Sequence, residues 1–222
     1  MNYLFTRHYI YDLLRRLFIE EPNIDLLIFL KENKLINTIY NELSENQEIC
    51  NLYKSWLDEL LNKNISSHSD DYQELHWDFT QLFVGPHILP APPWESSYKG
   101  DYLLFTETTA NVEKYYQQYS FYLPEREIEA ADHIGFELDF IYHLNQKALT
   151  ICNELSELEF NLKAQYMFLI EHLLSFIHLF SLNIQQYAQT DFYKKLAHFI
   201  EEFIKFDSEK INSLLLQMQN NS

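Results

Sequence analysis

Residues 82–98 read Leu82-Phe83-Val84-Gly85-Pro86-His87-Ile88-Leu89-Pro90-Ala91-Pro92-Pro93-Trp94-Glu95-Ser96-Ser97-Tyr98, and this stretch decides how the rest of the chain is read. Four of the six prolines fall between positions 86 and 93, so helix-breaking residues are concentrated here and the flanks are free to be helical. Only three glycines occur in 222 residues, at 85, 100 and 135, which is too few for the turns of a β-rich protein. Just upstream, Leu75, Phe79, Leu82 and Phe83 recur at helical spacing, and Asp70 with Gln73 reads as the N-cap of that helix. Gly85-Pro86 stops it and delivers Phe79, Leu82 and Phe83 into the proline loop.

The same periodicity continues on both sides. Tyr3 to Ile19 carries Leu4, Ile10, Leu14 and Leu17, and Pro22 ends it. A short helix is expected over Leu26 to Leu30, another from near Lys34, and a fourth through Leu52, Trp56, Leu57 and Leu60 behind a Ser44/Gln47 capping box. Downstream, helices are expected over Tyr102 to about Tyr119, after an Asp132 cap, across Glu154 to Gln189 as one helix or two, and from Phe192 to about Leu216 behind a Thr190 cap. No stretch alternates at period two long enough for a sheet, and no fixed repeat occurs. The expectation is an all-α protein, a single compact helical domain over 1–222. A polar loop at 62–71 and the proline-rich aromatic loop at 84–98 interrupt it.

Composition narrows the function. Sixteen Lys plus Arg against 33 Asp plus Glu give a net charge of −17. That excludes a general nucleic-acid binder, which needs a basic surface, and suits cationic partners. Two cysteines outside any CxxC supply no zinc cluster. The opening residues do not read as a secretory signal, and the longest apolar runs are broken by Glu171, His172 and His178, so a cytoplasmic location is expected. No HExxH, P-loop, GxSxG or dinucleotide fingerprint is present, and His133 with Glu137 is a pair of potential ligands without the other two a metal needs. The proline loop keeps two readings open: a segment locked onto the core, or a rigid apolar platform with an indole donor and acidic Glu95 beside it.

Three motifs in order resemble one family. Leu82–Tyr98 is similar to the signature of the TorD/DmsD/NarJ-like redox-enzyme maturation chaperones, with the full PAPPWESSY string closest to the TorD/DmsD side. Asp132-His133-Ile134-Gly135-Phe136-Glu137-Leu138 resembles the family's acidic-His-Ile-Gly helix opening. Phe168-Leu169-Ile170-Glu171-His172-Leu173, followed by Phe192-Tyr193-Lys194-Lys195-Leu196-Ala197, resembles its C-terminal run. Phe176 stands where members commonly carry Trp, and the Pro that often follows is absent from Ser175–Phe180.

The resemblance implies an all-helical, non-catalytic protein without a cofactor. Such a protein binds the twin-arginine leader and apo form of a molybdenum-containing oxidoreductase subunit and assists its maturation before export. It acts as monomer or dimer, with transient contact to the export machinery and no nucleic-acid partner. The alternatives are a chaperone for a non-exported molybdoenzyme and a generic helical interaction module. The implied peptide-binding residues are Leu82, Phe83, Pro92, Trp94, Asp132 and His133, to which Phe79 is added as one turn from Phe83 and Glu95 as the carboxylate beside Trp94. In the mechanism expected from these groups, aromatic and proline residues receive the apolar part of the leader, while Asp132, assisted by Glu95, orients its arginines.

Overall fold

A computed structural model describes residues 2–32, 43, 46–86, 88–100, 106–123 and 129–220, and these are mostly helical with no strand among them. The helices are α1 (Asn2–Ile19), α2 (Ile24–Glu32), α3 (Gln47–Leu61), α4 (Asp70–Phe79), α5 (Glu107–Gln118), α6 (Ile134–Thr150), α7 (Leu155–Phe168), α8 (Leu174–Tyr187) and α9 (Asp191–Asn220). A π turn, Thr80–Val84, prolongs α4 to Gly85. A second π turn, Leu169–Leu173, joins α7 to α8 into one helix of 33 residues, which resolves the expectation for Glu154–Gln189 in favour of a single helix. That helix is long and apolar enough to cross a membrane, yet half of its most apolar window is buried inside the protein, as a core helix would be.

Two caps differ from expectation, because the adjacent side chain accepts from the free amides instead. Asn46 caps α3 by accepting from the amides of Glu48 and Ile49, whereas Ser44 and the helix expected near Lys34 lie outside the described residues. Ser69, not Asp70, caps α4. His133, not Asp132, caps α6. Thr190 does cap α9, its hydroxyl accepting from the amide of Tyr193. The helix expected over Tyr102–Tyr119 begins at Glu107, and 101–105 lie outside the described residues.

Tertiary contacts group the chain into two compact units. One comprises Met1–Ile19, Pro93–Ile177 and Ile204–Ser222. Within it α1 packs lengthwise on α6, and α6 on α7. Leu4, Ala148, Leu162, Ile211 and Leu215 form one apolar cluster. In the same unit Arg7, fully buried, pairs with Asp207 at 2.6 Å, while Tyr3 and Tyr11 donate to the same carboxylate at 2.6 and 2.7 Å. These tyrosines, and Gln165, which accepts from Arg7 Nη1, offset part of the pair's desolvation, while Arg7 Nη2 has no hydrogen-bond partner among the described residues. Gly135 is the contact point between α6 and the end of α1. A Cβ there would lie 2.6–2.8 Å from the side chain and backbone of Ile19, so only glycine admits this approach.

The other unit comprises Glu20–Pro92 and His178–Phe203. Its core is aromatic: Trp56 of α3 stacks parallel to Phe199 with centroids 6.1 Å apart, and Phe79 and Phe83 of α4 and its π turn pack on Tyr193. Asp78 secures the start of α9, accepting from the amides of Gln189 and Thr190 and from the Thr190 hydroxyl at 3.0, 2.8 and 2.6 Å.

Candidate functional site

The chain restrictions that Pro92 and Pro93 impose leave the loop extended as it reaches Trp94. There it forms a short antiparallel bridge with His133. Pro93, which has no amide to donate, accepts at its carbonyl from Ile134 at 2.8 Å, and Glu95 donates its amide to the Asp132 carbonyl at 3.0 Å. The second and fourth residues of the PPWE run are thus stitched to the opening of α6, two motifs about forty residues apart. Trp94 rests edge-on to the His133 ring at 6.2 Å and is half-buried. Its indole N–H is enclosed without a hydrogen-bond partner among the described residues.

Asp132 and Glu95 are both fully buried. Asp132 accepts from the Ser96 amide and from the Thr109 hydroxyl, each at 2.9 Å, so it ties the turn Glu95–Tyr98 to α5. Glu95 faces the helix formed by α7 and α8. It accepts from His172 Nδ1 and Ser175 Oγ, each at 2.9 Å, and pairs with Lys99. Burial pushes the Glu95 carboxyl up, but hydrogen bonding and charge from His172 and Lys99 outweigh it and hold the group below its ordinary range. His133 is buried too, and burial lowers its imidazole to about 4. Its Nδ1 accepts from the Gly135 amide at 3.1 Å, which needs the unprotonated nitrogen.

One turn beyond His133, Glu137 is fully enclosed, and neither carboxyl oxygen has a hydrogen-bond partner among the described residues. Burial first, then the charges of Glu95 and Asp132, raises this acid well above the ordinary glutamate range. Among the described residues no cluster of His, Cys, Asp or Glu has the make-up of a metal site.

The remaining expected residues belong to the other unit. Leu82 is fully buried, and Phe79 and Phe83 are buried with their rings 5.1 Å apart, edge to face. Pro92 is half-buried. The loop is fastened here by the Ala91 amide, which donates to the Leu82 carbonyl at 3.4 Å. Trp94, Glu95, Asp132 and His133 are therefore assembled in one place, and Phe79, Leu82 and Phe83 in another. Sequence reasoning missed Thr109, His172, Ser175 and Lys99 as partners. Only His172 carried a signal, as part of the Phe168–Leu173 motif.

The family model described as nitrate reductase delta subunit matches residues 44–181. The chaperone protein TorD of Aliivibrio salmonicida is 28% identical over 78% of this chain and 79% of its own length. The Tat proofreading chaperone DmsD of Haemophilus influenzae is 26% identical over 56% of each chain. Among solved structures, a redox enzyme maturation protein from Archaeoglobus fulgidus shares the fold, with a TM-score of 0.50 and 17% identity over 90% of this chain and 93% of that one. The chain belongs to the nitrate reductase delta subunit family, the redox-enzyme maturation chaperones of TorD, DmsD and NarJ type. It is a chaperone in the maturation of a molybdoenzyme and not a catalyst.

Proposed function

We propose that this chaperone acts in the cytoplasm, binding the twin-arginine leader of a molybdoenzyme subunit and holding the apo subunit back from export until it is complete. The observation that carries the reading is the bridge between Trp94 and His133. It joins the two motifs most specific to the family and is reinforced by Asp132 and Glu95 on either side. A leader presents consecutive arginines and an apolar run, and a chain with a net charge of −17 favours the encounter with the cationic end. In this reading Phe79, Leu82, Phe83, Pro92, Trp94, Glu95, Asp132 and His133 serve leader binding chiefly by holding the loop in its binding conformation. Pro92 and Trp94, each half-buried, keep surface with which to touch a peptide.

Titration of the purified chain with synthetic leaders tests this. An Arg-Arg leader binds, and its Lys-Lys counterpart binds at least about tenfold more weakly, because an ammonium lacks the planar donor fork of guanidinium. A second reading, a chaperone for a client that is not exported, is favoured by the family's description as a nitrate reductase subunit. Capture of an apo subunit with equal affinity whether or not it carries a leader would select it.

A further inference from the structure

The exposed side of α4, and the turn and loop that follow it, carry large apolar side chains left open to solvent. Trp77 is 63% exposed, Val84 63% and Ile88 98%. Two adjoining grooves share Trp77 and Gln81, and both lie wholly within the unit built from Glu20–Pro92 and His178–Phe203. The first has a volume of about 430 Å³ and is apolar, lined by Trp77, Gly85, Pro86, Ile88, Leu89 and Pro90. Its wall is stiff, because prolines lose little freedom on binding.

The second groove, about 640 Å³, has the opposite chemistry. Glu59, Asp70, Glu74, Asp78 and Asp191 line it against a single lining cation, Lys63. Asp78 turns inward to the start of α9, and Glu59 is paired with Lys195. Glu74 and Asp191 remain largely exposed, with ammonium groups no closer than 3.6 and 3.7 Å. An exposed indole lining the same groove as these carboxylates suits a guanidinium, which stacks on the ring face while its edge donates to the acids. An apolar cleft that passes at Trp77 into an acidic one is complementary to a peptide whose arginines adjoin an apolar run.

We propose that the Trp77 double groove is the seat of the leader itself, its arginines lying in the groove of Glu74 and Asp191 and its apolar run on Ile88 and Leu89. This assignment rests on the leader-binding reading above and adds to it further residues in direct contact. Trp77, Ile88 and Glu74 all stand on the surface, so changing them leaves the core intact.

The test uses the full chain and a synthetic peptide without tryptophan that carries two arginines followed by an apolar run of about ten residues. Binding is followed by anisotropy of a label on the peptide, and by acrylamide quenching of wild type against Trp77→Phe to isolate the Trp77 signal. Trp77→Ala and Ile88→Asp are each expected to weaken binding about tenfold or more, as removal of an interface anchor does. Glu74→Gln with Asp191→Asn is expected to narrow the preference for Arg-Arg over Lys-Lys, and bound peptide to shield Trp77 from acrylamide. Wild-type binding with unchanged affinity in all these variants overturns the groove assignment and leaves the leader reading standing. Equal binding of a peptide without arginines overturns the acidic half. No binding to wild type removes the leader reading and the groove with it.

Discussion

Asp132 Oδ2 lies 2.9 Å from the backbone amide of Ser96, its donor, across 36 residues of sequence. With Oδ1 accepting from Thr109 at the same distance, one buried carboxylate organises the turn after Trp94, the start of α5 and the approach to α6. Its first effect is therefore on the conformation of the PPWE loop.

Asp132→Ala is expected to cost about 1–3 kcal/mol, because it leaves a buried amide and a buried hydroxyl without an acceptor. Asp132→Asn, which keeps one acceptor oxygen, falls between this variant and wild type. Urea denaturation followed by circular dichroism measures both. Unchanged midpoints in the two variants would remove Asp132 as the organiser of the turn.

Gly135→Ala is expected to destabilise by about 1–3 kcal/mol or more, since the added methyl meets backbone atoms of Ile19 that cannot rotate away. Truncating the neighbour, in Gly135→Ala with Ile19→Ala, restores little, because the Ile19 amide nitrogen and Cα are themselves 2.7 and 2.8 Å from the new atom. Full recovery in the double variant would show that side-chain crowding alone is at issue.

His133 titrates near 4 in the fold against 6.5 when unfolded. Between those values the unfolded chain binds the extra proton, so stability rises with pH across the window and is lost as pH falls from 6.5 towards 4. The full effect is about 3 kcal/mol. His133→Asn keeps an acceptor for the Gly135 amide and is expected to flatten this slope. Thermal melts of both proteins at pH 4, 5, 6 and 7 make the comparison, and parallel curves would contradict it.

Glu137 has the opposite sign. Its acid is raised in the fold while the unfolded chain ionises above about 4.5, so stability falls as pH rises from there towards the raised native value. Glu137→Gln removes that cost. Its melting temperature is expected to exceed that of wild type at pH 7, by about 2–4 °C for each kcal/mol relieved, with the gap closing near pH 4. A gap that stays constant with pH would mean that Glu137 is ionised in the native protein.

Much of the fold was legible because helices announce themselves locally. The spacing of Leu4, Ile10, Leu14 and Leu17, the stop at Gly85-Pro86 and the Thr190 cap all act within a few residues, and α1, α4 and α9 follow them. Cap identity was less legible, since Ser69 and Asp70, or Asp132 and His133, are adjacent residues that compete for the same amides. The π turn at Leu169–Leu173 left no pattern that separates one long helix from two.

The sequence by itself determined the helical class, the position of the one proline-rich interruption and the motifs that mark the family, because each depends on backbone propensity and short-range spacing. Only the tertiary structure decided what each polar residue of those motifs faces. Glu95 meets His172 across 77 positions, Asp132 meets Ser96 and Thr109, and Glu137 meets no hydrogen-bond partner among the described residues. A carboxylate reads the same in sequence whether it ends in solvent or in the interior. Burial and partner choice are set by how distant helices pack, and that packing turned expected surface acceptors into the internal fastenings of the loop.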